Sequence, residues 1–431
     1  MLTGFPTTIF MLGIGGAGMQ AQAQLLHAHG HTIVGSDIDV TKLAALPYFS
    51  AFTILPEDQA TPLLESAELL IYTDAVTLDH PLRQYAQSKK IPQLMLFEAA
   101  GVLAQNFTCI AVTGTHGKSS TTAFLSHILS NAGIDPTVQL GARVVGWPLG
   151  NARVGQGKYF VVEADEYRQH FLHFNPAHII ITSIDFDHPD FFKNIDDVKQ
   201  AYATFLKKLL PGGAVIALRH VIHDHPDLPW PATTVAVDSP TEPIVLPLPG
   251  THMQSNAALA MALAEVLGVP TAQSLKALAT FPGLSRRFET LGKLRYLTIV
   301  SDYGHHPTEI AATLAAARAW QPNAKIVAIV EPHTAARVNQ FLSQYVSALT
   351  PELCDAVIVA PTFYVPGRDN QVAAIIATTS LYQALSGARS NVTQLANLDD
   401  IGEQLQQAAA TYDLAIGFTA GVLDSKLRQV F

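Results

Sequence analysis

Short apolar runs alternate along the chain with longer segments in which apolar residues recur at helical spacing. The first run, Thr8–Leu12, leads into a glycine loop and a helix-like segment over about Met19–His29. Apolar runs of four to eight residues bounded by turn residues are typical of buried strands. Strands that alternate with helices in this way predict a parallel α/β architecture.

The alternation falls into three blocks. The first closes near Ala104, and the second opens with FTCIAVTG and continues through KYFVVEADE, HIIITSIDFDH and GGAVIAL. The third begins around GLSRRFETLG and contains LTIVSDYGHHP, AKIVAIVEPH, CDAVIVAPT and YDLAIGF. We therefore predict three domains, which span residues 1–104, 105–284 and 285–431.

Composition narrows the function classes. The chain has 431 residues, too many for one ordinary core, and 48% of them are hydrophobic. The net charge of −9 argues against nucleic acid as the main partner. Cys109 and Cys354 form neither a disulfide framework nor a CxxC metal pattern, which favours a reducing cytoplasm. No uninterrupted apolar stretch has membrane-spanning length, so we expect no membrane partner.

The first glycine loop, Gly13–Gly18, fits the pattern GxGxxG. Small residues let the backbone approach a diphosphate, and the helix that follows offers free N–H groups. Asp37 ends the next strand, where an acidic residue would meet a ribose. Taken alone, the loop is compatible with a nicotinamide dinucleotide, another nucleotide, or a tight turn without a ligand.

A second loop, TGTHGKSS, is the stronger signal. Residues Gly114–Gly117 would wrap backbone N–H groups around phosphates, Lys118 would reach the terminal phosphates, and Ser119 would offer its hydroxyl to Mg²⁺. The turn is two residues shorter than the usual GxxxxGK[ST] spacing. A lysine at the start of a helix opposes the helix dipole, so its position favours a bound anion.

Acidic residues follow two further apolar runs of the second block. Glu163 begins the stretch EADE, and His188 ends the stretch DFDH. Because the carboxyl ends of parallel strands converge on one crevice, these side chains predict a Mg²⁺ site shared with ATP phosphates. The alternative is that they are solvated residues at the ends of strands.

Two basic motifs lie in the third block. Adjacent histidines, His305 and His306, follow a strand, and Arg286 and Arg287 stand at the block boundary. Paired arginines can bind phosphate or carboxylate in a bidentate manner. Each motif is also compatible with a hydrogen-bonded turn or a solvated surface.

Taken in order, the motifs resemble those of the Mur ligases, ATP-dependent enzymes that form amide bonds in peptidoglycan synthesis. The resemblance covers nearly the whole chain and is strongest to the branch that adds L-alanine. It rests on the stretches GIGGAGM, TGTHGKSS, VEADEYRQHFL, DFDHPD, PGTHMQSNAA, SRRFETLG, SDYGHHPTEI and VEPHTAAR. TGTHGK together with DYGHHPTE is specific, whereas the glycine loop alone is not.

The resemblance implies a three-domain fold and a reaction. A Rossmann-like N-terminal domain would bind UDP-N-acetylmuramate, a central P-loop domain with a mostly parallel sheet would bind ATP and Mg²⁺, and a Rossmann-like C-terminal domain would close over L-alanine. ATP would phosphorylate the muramoyl carboxylate, and the amine of L-alanine would then displace phosphate. We expect a cytoplasmic monomer or homodimer.

The resemblance also implies roles for individual residues. Catalysis would involve Lys118, His305, His306 and Arg337. The UDP-sugar would be bound by Gly13, Gly15, Gly16, Gly18, Asp37 and Thr73. The metal ion would be bound by Ser119, Glu163 and His188. The nucleotide would be bound by Gly114, Thr115, His116, Gly117, Lys118, Ser119, Ser120, Asn256, Arg287 and Asp302.

Three positions depart from the family pattern, which usually has Asn at Met253, Asp at Ser301 and an arginine near Thr334. They motivate an alternative, a non-catalytic relative that only binds the UDP-sugar. A second alternative is the recycling ligase that attaches a whole tripeptide to UDP-N-acetylmuramate. Glu331 in VEPH slightly favours this alternative. A third alternative, an NAD-dependent dehydrogenase, leaves the Lys118 loop unexplained.

Overall fold

The computed structural model describes residues 1–44, 47–364 and 370–431. Strands and helices alternate along the chain, and the strands form three sheets. The chain divides into two compact units. The first unit comprises Met1–Asp185, Ile195–Val245 and Ser255–Pro282, and the second comprises Phe186–Asn194, Leu246–Gln254 and Gly283–Phe431.

The first sheet has five parallel strands in the order β3-β2-β1-β4-β5. Its strands are β1 (Thr8–Leu12), β2 (Thr32–Asp37), β3 (Thr53–Pro56), β4 (Leu69–Tyr72) and β5 (Gln93–Met95). The helices of this part are α1 (Ala17–Ala28), α2 (Val40–Ala44), α3 (Thr61–Glu65), α4 (Pro81–Ser88) and α5 (Leu96–Ala104). Short 3₁₀ helices span Pro47–Ala51 and Glu57–Gln59.

Strand order reverses at β1, because β2 pairs with one of its edges and β4 with the other. Leu12 lies opposite Tyr72 in the register, so the glycine loop after β1 and the residues after β4 share one edge of the sheet. In parallel α/β sheets, ligands bind in the crevice at such a reversal point.

The second sheet has seven strands in the order β12-β11-β10-β6-β9-β7-β8, and only the β7–β8 pair is antiparallel. Its strands are β6 (Thr108–Thr113), β7 (Thr137–Gln139), β8 (Ala152–Arg153), β9 (Tyr159–Glu163), β10 (His178–Ile181), β11 (Ala214–Leu218) and β12 (Thr234–Val237). The helices of this part are α6 (Lys118–Asn131), α7 (Ile195–Leu206), α8 (Arg219–Asp224), α9 (Thr251–Val266) and α10 (Thr271–Leu278), and a 3₁₀ segment spans Tyr167–His173.

Strand β6 lies between β9 and β10 and has a fully apolar centre. Ile110, Ala111 and Val112 are completely buried, as expected for a parallel strand covered on both faces. Val112 pairs with Glu163, the last residue of β9. The register therefore places that carboxylate next to the turn that leaves β6.

Strand β10 is shorter than the apolar run HIIITSI and ends at Ile181. The next residue, Thr182, donates its backbone N–H to the backbone oxygen of Thr113 at 2.9 Å, and its hydroxyl donates to the same oxygen at 3.1 Å. The hydroxyl also contacts the backbone oxygen of His116. The residue after this strand therefore supports the loop after β6.

The third sheet has six strands in the order β13-β14-β18-β15-β16-β17, and only the β13–β14 pair is antiparallel. Its strands are β13 (Glu289–Leu294), β14 (Leu297–Asp302), β15 (Ile326–Glu331), β16 (Ala356–Val359), β17 (Val392–Gln394) and β18 (Leu414–Thr419). The helices are α11 (Pro307–Trp320), α12 (Ala335–Ala348), α13 (Gln371–Ala388), α14 (Ile401–Ala408) and α15 (Leu423–Arg428), with a 3₁₀ turn at Leu398–Asp400.

Helices cover both faces of the third sheet. Consecutive residues of β14 point to opposite faces, so Ile299 belongs to one apolar cluster and Val300 to the other. Each of the three sheets lies within one of the predicted ranges 1–104, 105–284 and 285–431. The domain boundaries themselves stay a prediction. Among the helices that the structure describes, none has both the length and the apolar content needed to span a bilayer.

Candidate active site

The turn after β6 is packed tightly around two glycines. Gly114 and Gly117 have φ angles of 137° and 85°, a region that residues with side chains rarely adopt. A Cβ at Gly114 would lie 2.0 Å from the Thr182 hydroxyl oxygen, and one at Gly117 would lie 2.5 Å from the Asn256 amide oxygen. Both positions therefore require glycine, and Asn256 lies against the turn.

Residues after β10 hold this turn in place. The Thr115 hydroxyl accepts from the backbone N–H of Asp185 at 2.9 Å, and the backbone N–H of His116 donates to the Ser183 hydroxyl at 2.9 Å. The His116 ring lies 3.6 Å from the Asp185 carboxylate. The turn is therefore preorganised by side-chain and backbone groups of residues 66 to 70 positions away in sequence.

Helix α6 begins at Lys118, so its first free N–H groups point into the turn. The Lys118 ammonium donates to the backbone oxygen of Gly114 and to the Glu166 carboxylate, both at 2.7 Å. Burial disfavours the charged lysine, but Glu166 and Asp165 hold the pKa of Lys118 above its usual value. The turn thus contains a fixed cation next to the N-terminus of a helix.

The second residue of α6 contacts the end of β9. The Ser119 hydroxyl lies 2.9 and 3.0 Å from the two oxygens of Glu163, and the backbone N–H of Gly141 donates to the same carboxylate at 2.8 Å. Ser120, the next residue, is buried. Ser119 and Glu163 therefore offer neighbouring hydroxyl and carboxylate oxygens, the donor type that Mg²⁺ prefers.

The first glycine loop is closed by contacts to β2 and to the residue after β4. The backbone N–H of Gly15 donates to the Asp37 carboxylate at 2.7 Å. A Cβ at Gly13, whose φ is 77°, would lie 2.6 Å from the Thr73 methyl group. Gly16 precedes helix α1 as its N-cap, and a Cβ at Gly18 would lie 2.8 Å from Leu96. The predicted loop, Asp37 and Thr73 therefore form one cluster.

In the second unit, Arg337 of α12 forms a buried bidentate ion pair with Asp187. The Arg337 Nη2 lies 2.9 and 3.1 Å from the two carboxylate oxygens, and Nη1 lies 3.1 Å from His333 Nδ1. Burial alone would raise the pKa of Asp187, but Arg337 and nearby histidines hold it well below its usual range. His188 follows with φ 55° and lines a small cleft with His333 and Arg337.

The two predicted histidines have different surroundings. His306 is the N-cap of α11, and its Nδ1 accepts from the backbone N–H of Thr308 at 3.3 Å. The Nδ1 of His305 faces the backbone oxygen of Tyr303 at 3.1 Å, so this nitrogen carries the proton. Burial and the Arg337 charge lower the pKa of His305 to about 4. His305 is therefore a neutral ring at pH 7 with a lone pair on Nε2.

Asp302, the last residue of β14, contacts the backbone next to Arg287. The Asp302 carboxylate accepts from the backbone N–H groups of Phe288 at 2.9 Å and Gly304 at 2.8 Å. Arg287 lies 5.2 Å over the Tyr303 ring. Arg286 and Phe288, on either side of Arg287, have φ angles of 60° and 47°. Two residues in a strained conformation therefore flank Arg287.

The three departures from the family pattern have defined surroundings. The Ser301 hydroxyl donates to Asp424 at 2.6 Å, and Met253 is buried. Thr334 has φ 67°, and its N–H donates to the backbone oxygen of Phe363 at 2.9 Å.

The predicted residues divide between the two units. The first unit contains both glycine loops, Asp37, Thr73, Glu163 and Asn256, whereas the second contains His188, Arg287, Asp302, His305, His306 and Arg337. The first unit brings Ser119 and Glu163 together, but His188 as a further ligand of the same ion stays a prediction. Three contacting residues, Glu166, Asp187 and His333, were not predicted. These residues lie in the stretches EADE, DFDH and VEPH. The sequence alone does not indicate which carboxylate or imidazole of each stretch faces a cation.

Comparison with known proteins covers all three parts of the chain. Residues 8–108 match the model of the Mur ligase family, catalytic domain, residues 112–226 the Mur ligase middle domain, and residues 286–418 the Mur ligase, glutamate ligase domain. The chain is 32% identical to a UDP-N-acetylmuramate–L-alanine ligase of Agathobacter rectalis, over 96% of both proteins. It is 33% identical to the enzyme of the same name from Desulfitobacterium hafniense, over 96% of this chain and 97% of the relative.

Solved structures share the fold. The UDP-N-acetylmuramate–alanine ligase of Thermotoga maritima superposes with a TM-score of 0.81 at 24% identity and covers 98% of each chain. A murein peptide ligase of Psychrobacter arcticus gives a TM-score of 0.73 at 21% identity, over 99% of this chain and 98% of that one. Both likenesses concern the three-domain architecture alone.

Proposed function

The chain belongs to the Mur ligase family, and we propose that it is the ATP-dependent ligase that joins L-alanine to the carboxylate of UDP-N-acetylmuramate. The observation that carries this proposal is the arrangement around β6. A glycine turn leads into Lys118 and Ser119, and the Ser119 hydroxyl contacts Glu163 on the adjacent strand. The names of the two curated relatives supply the substrate pair.

The reaction has two chemical steps. An oxygen of the muramoyl carboxylate attacks the γ-phosphorus of ATP, the bond to the β-phosphate oxygen breaks, and ADP leaves. The amine nitrogen of L-alanine then attacks the acyl carbon of the acyl phosphate. The tetrahedral intermediate expels inorganic phosphate, and the nitrogen loses one proton. Because the charge on the transferred phosphoryl group is spread over its oxygens, the protein mainly has to position the groups and neutralise charge.

The loop around Lys118 has the groups that the first step, the phosphorylation, requires. Backbone N–H groups at the start of α6 would bind phosphate oxygens. Lys118 stays protonated because Glu166 and Asp165 favour its charge, so it would neutralise the terminal phosphate. Asn256, which touches the turn, would contact the nucleotide.

Ser119 and Glu163 fit a Mg²⁺ ion by the chemistry of their donors, a hydroxyl and a carboxylate oxygen 2.9 Å apart. When bound, this ion would neutralise phosphate oxygens of ATP during transfer. We assign Ser119 and Glu163 to that ion, with His188 as a predicted further ligand.

The second unit would act on the amino acid. We place His305 and His306 near the amino acid, where the neutral ring of His305 would lie beside the amine. Arg337 would orient the substrate carboxyl groups, and Asp187 and His333 would position Arg337. In this proposal residues 1–104 bind the UDP-sugar, 105–284 bind ATP, and 285–431 bind L-alanine, in the cytoplasm.

The test is a screen of amino acids, read as phosphate release with UDP-N-acetylmuramate, ATP and Mg²⁺ present. Release that depends on L-alanine supports the proposal. Release that depends on the tripeptide instead of L-alanine would assign the recycling reaction. Background release with every amino acid and peptide would overturn the proposal in favour of a non-catalytic UDP-sugar binder.

A further inference from the structure

The segment after Glu166 contains an arginine in an unusual backbone conformation. Arg168 and Gln169 both lie in the left-handed region, with φ, ψ of 49°, 21° and 60°, 29°. Two consecutive non-glycine residues with this conformation are unfavourable and persist only where the surrounding structure holds them. Such strain is concentrated at ligand-binding sites, so the contacts of Arg168 are relevant to ligand binding.

A buried pair anchors this segment to the first sheet. The His170 Nε2 lies 2.7 Å from a carboxylate oxygen of Asp74, and the His170 side chain is only 4% exposed. Its ring stacks on Phe97 with a centroid distance of 4.1 Å and an interplanar angle of 11°. Asp74 follows β4 directly after Thr73, which contacts the glycine loop at Gly13. The pair therefore ties the segment to the edge of the sheet where the glycine loop lies.

Arg168 is accessible to solvent, whereas His170 is buried. Its guanidinium Nη1 lies 3.7 Å from the Asp74 carboxylate, and its side chain is 45% exposed. Two residues before it, Glu166 contacts Lys118. Arg168 therefore lies between two anchored points: Asp74, which follows the residue at the glycine loop, and Glu166, which contacts Lys118.

We propose that Arg168 is a specificity-determining residue that pairs with the lactyl carboxylate of the UDP-sugar before phosphorylation, and that Asp74 and His170 position it. The inference rests on the proposed function and deepens it. A guanidinium can donate two parallel N–H bonds to a carboxylate, and it remains charged at every physiological pH. The ion pair between Arg168 and the lactyl carboxylate would favour UDP-sugars that have a free carboxylate over those that lack one.

The test compares the binding of two ligands by calorimetry. UDP-N-acetylmuramate contains the carboxylate, and UDP-N-acetylglucosamine lacks it. In Arg168→Gln we expect the Kd for UDP-N-acetylmuramate to rise about tenfold or more, whereas the Kd for UDP-N-acetylglucosamine changes less than about twofold. The KM for ATP should stay unchanged, and Arg168→Lys should recover part of the affinity.

Arg219→Gln is the matched control, since Arg219 forms an exposed pair with Asp238 in the same unit, and it should leave both affinities unchanged. Equal weakening of both ligands, an unchanged ratio in Arg168→Gln, or equal affinities in the unmodified protein would overturn the inference. Ligation of L-alanine is measured first on the unmodified protein. Its absence would overturn the proposed function, whereas an unchanged ratio in an active Arg168→Gln enzyme would overturn this inference alone.

Discussion

Asp187 and Arg337 are 150 residues apart in sequence and form a buried ion pair in the second unit. Three of their N–O distances lie between 2.9 and 3.1 Å, and both side chains are less than a tenth exposed. Phe186, the residue before Asp187, packs against Phe341 of α12 with a ring distance of 6.0 Å. Phe186 and Asp187 are therefore both fixed to α12.

Removing the Asp187 charge should destabilise the second unit strongly. Asp187→Asn leaves the Arg337 guanidinium buried without its counter-charge, and breaking a buried pair in this way costs about 3–5 kcal/mol. We expect a clear fall in Tm in a thermal scan. Asp227→Asn is the control, because Asp227 is 58% exposed in its pair with Lys199, and such pairs contribute about 0–1 kcal/mol.

The same pair predicts the sign of an acid effect. The folded-state pKa of Asp187 lies below its unfolded value, so its stabilisation is present above about pH 4 and is lost as the pH falls further. The stability difference between the wild type and Asp187→Asn should therefore shrink below about pH 4. A difference that grows on acidification would contradict this assignment.

Replacing Lys118 should separate turnover from UDP-sugar binding. Lys118→Ala removes the cation at the phosphate turn, whereas the glycine loop of Gly13–Gly18 belongs to a different sheet. We expect phosphate release to fall to background while the Kd for UDP-N-acetylmuramate, measured by calorimetry, changes less than about twofold. Lys199→Ala, at an exposed ion pair, should keep full turnover. Loss of UDP-sugar affinity in Lys118→Ala would contradict the separation of the two sites.

Alanine at Gly117 should abolish nucleotide binding. The substitution adds a Cβ 2.5 Å from the Asn256 amide oxygen and also places alanine at φ 85°. Gly133→Ala is a matched control, because Gly133 has φ 75° and no atom within 4 Å of its added Cβ. Both variants incur the left-handed strain of about 1–2 kcal/mol. Only Gly117→Ala should lose ATP affinity by equilibrium dialysis, and equal losses would refute the steric account.

Glu331 should make the stability of the second unit depend on pH in the opposite direction to Asp187. This buried carboxylate ends β15 and accepts from the backbone N–H groups of Val422 and Leu423 at 3.2 and 3.3 Å. Burial raises the pKa of Glu331, although these hydrogen bonds oppose the shift. Its contribution to stability is therefore greatest below its unfolded pKa and is lost as the pH rises through the folded value.

Glu331→Gln tests that sign. Relative to this variant, the wild type should lose stability in urea unfolding as the pH is raised from about 4 towards neutrality. Glu352→Gln provides the exposed control, and its difference from the wild type should not follow this trend. A wild type that gains stability over Glu331→Gln as the pH rises would show that the carboxylate is better stabilised than its burial implies.

Several features of the site were accessible from the sequence because they are local. The glycine turn, Lys118 at the helix start and Glu163 at a strand end lie where the residue pattern placed them. The contact between the Thr182 hydroxyl and the turn was not predicted, because it joins segments 66 residues apart in sequence. Asp187 and His333 were missed because only packing onto Arg337 distinguishes them from their neighbours.

The order of apolar runs and turns determined the α/β class, the three sheets and the two glycine loops by itself, since strand burial and left-handed turns depend on local residue type. The tertiary structure decided which carboxylate pairs with which basic side chain. It placed Glu166 on Lys118, Asp187 on Arg337 and Asp74 on His170. An isolated carboxylate has many neighbours of opposite charge in the sequence, and only the register and packing of distant segments bring one of them within hydrogen-bond distance.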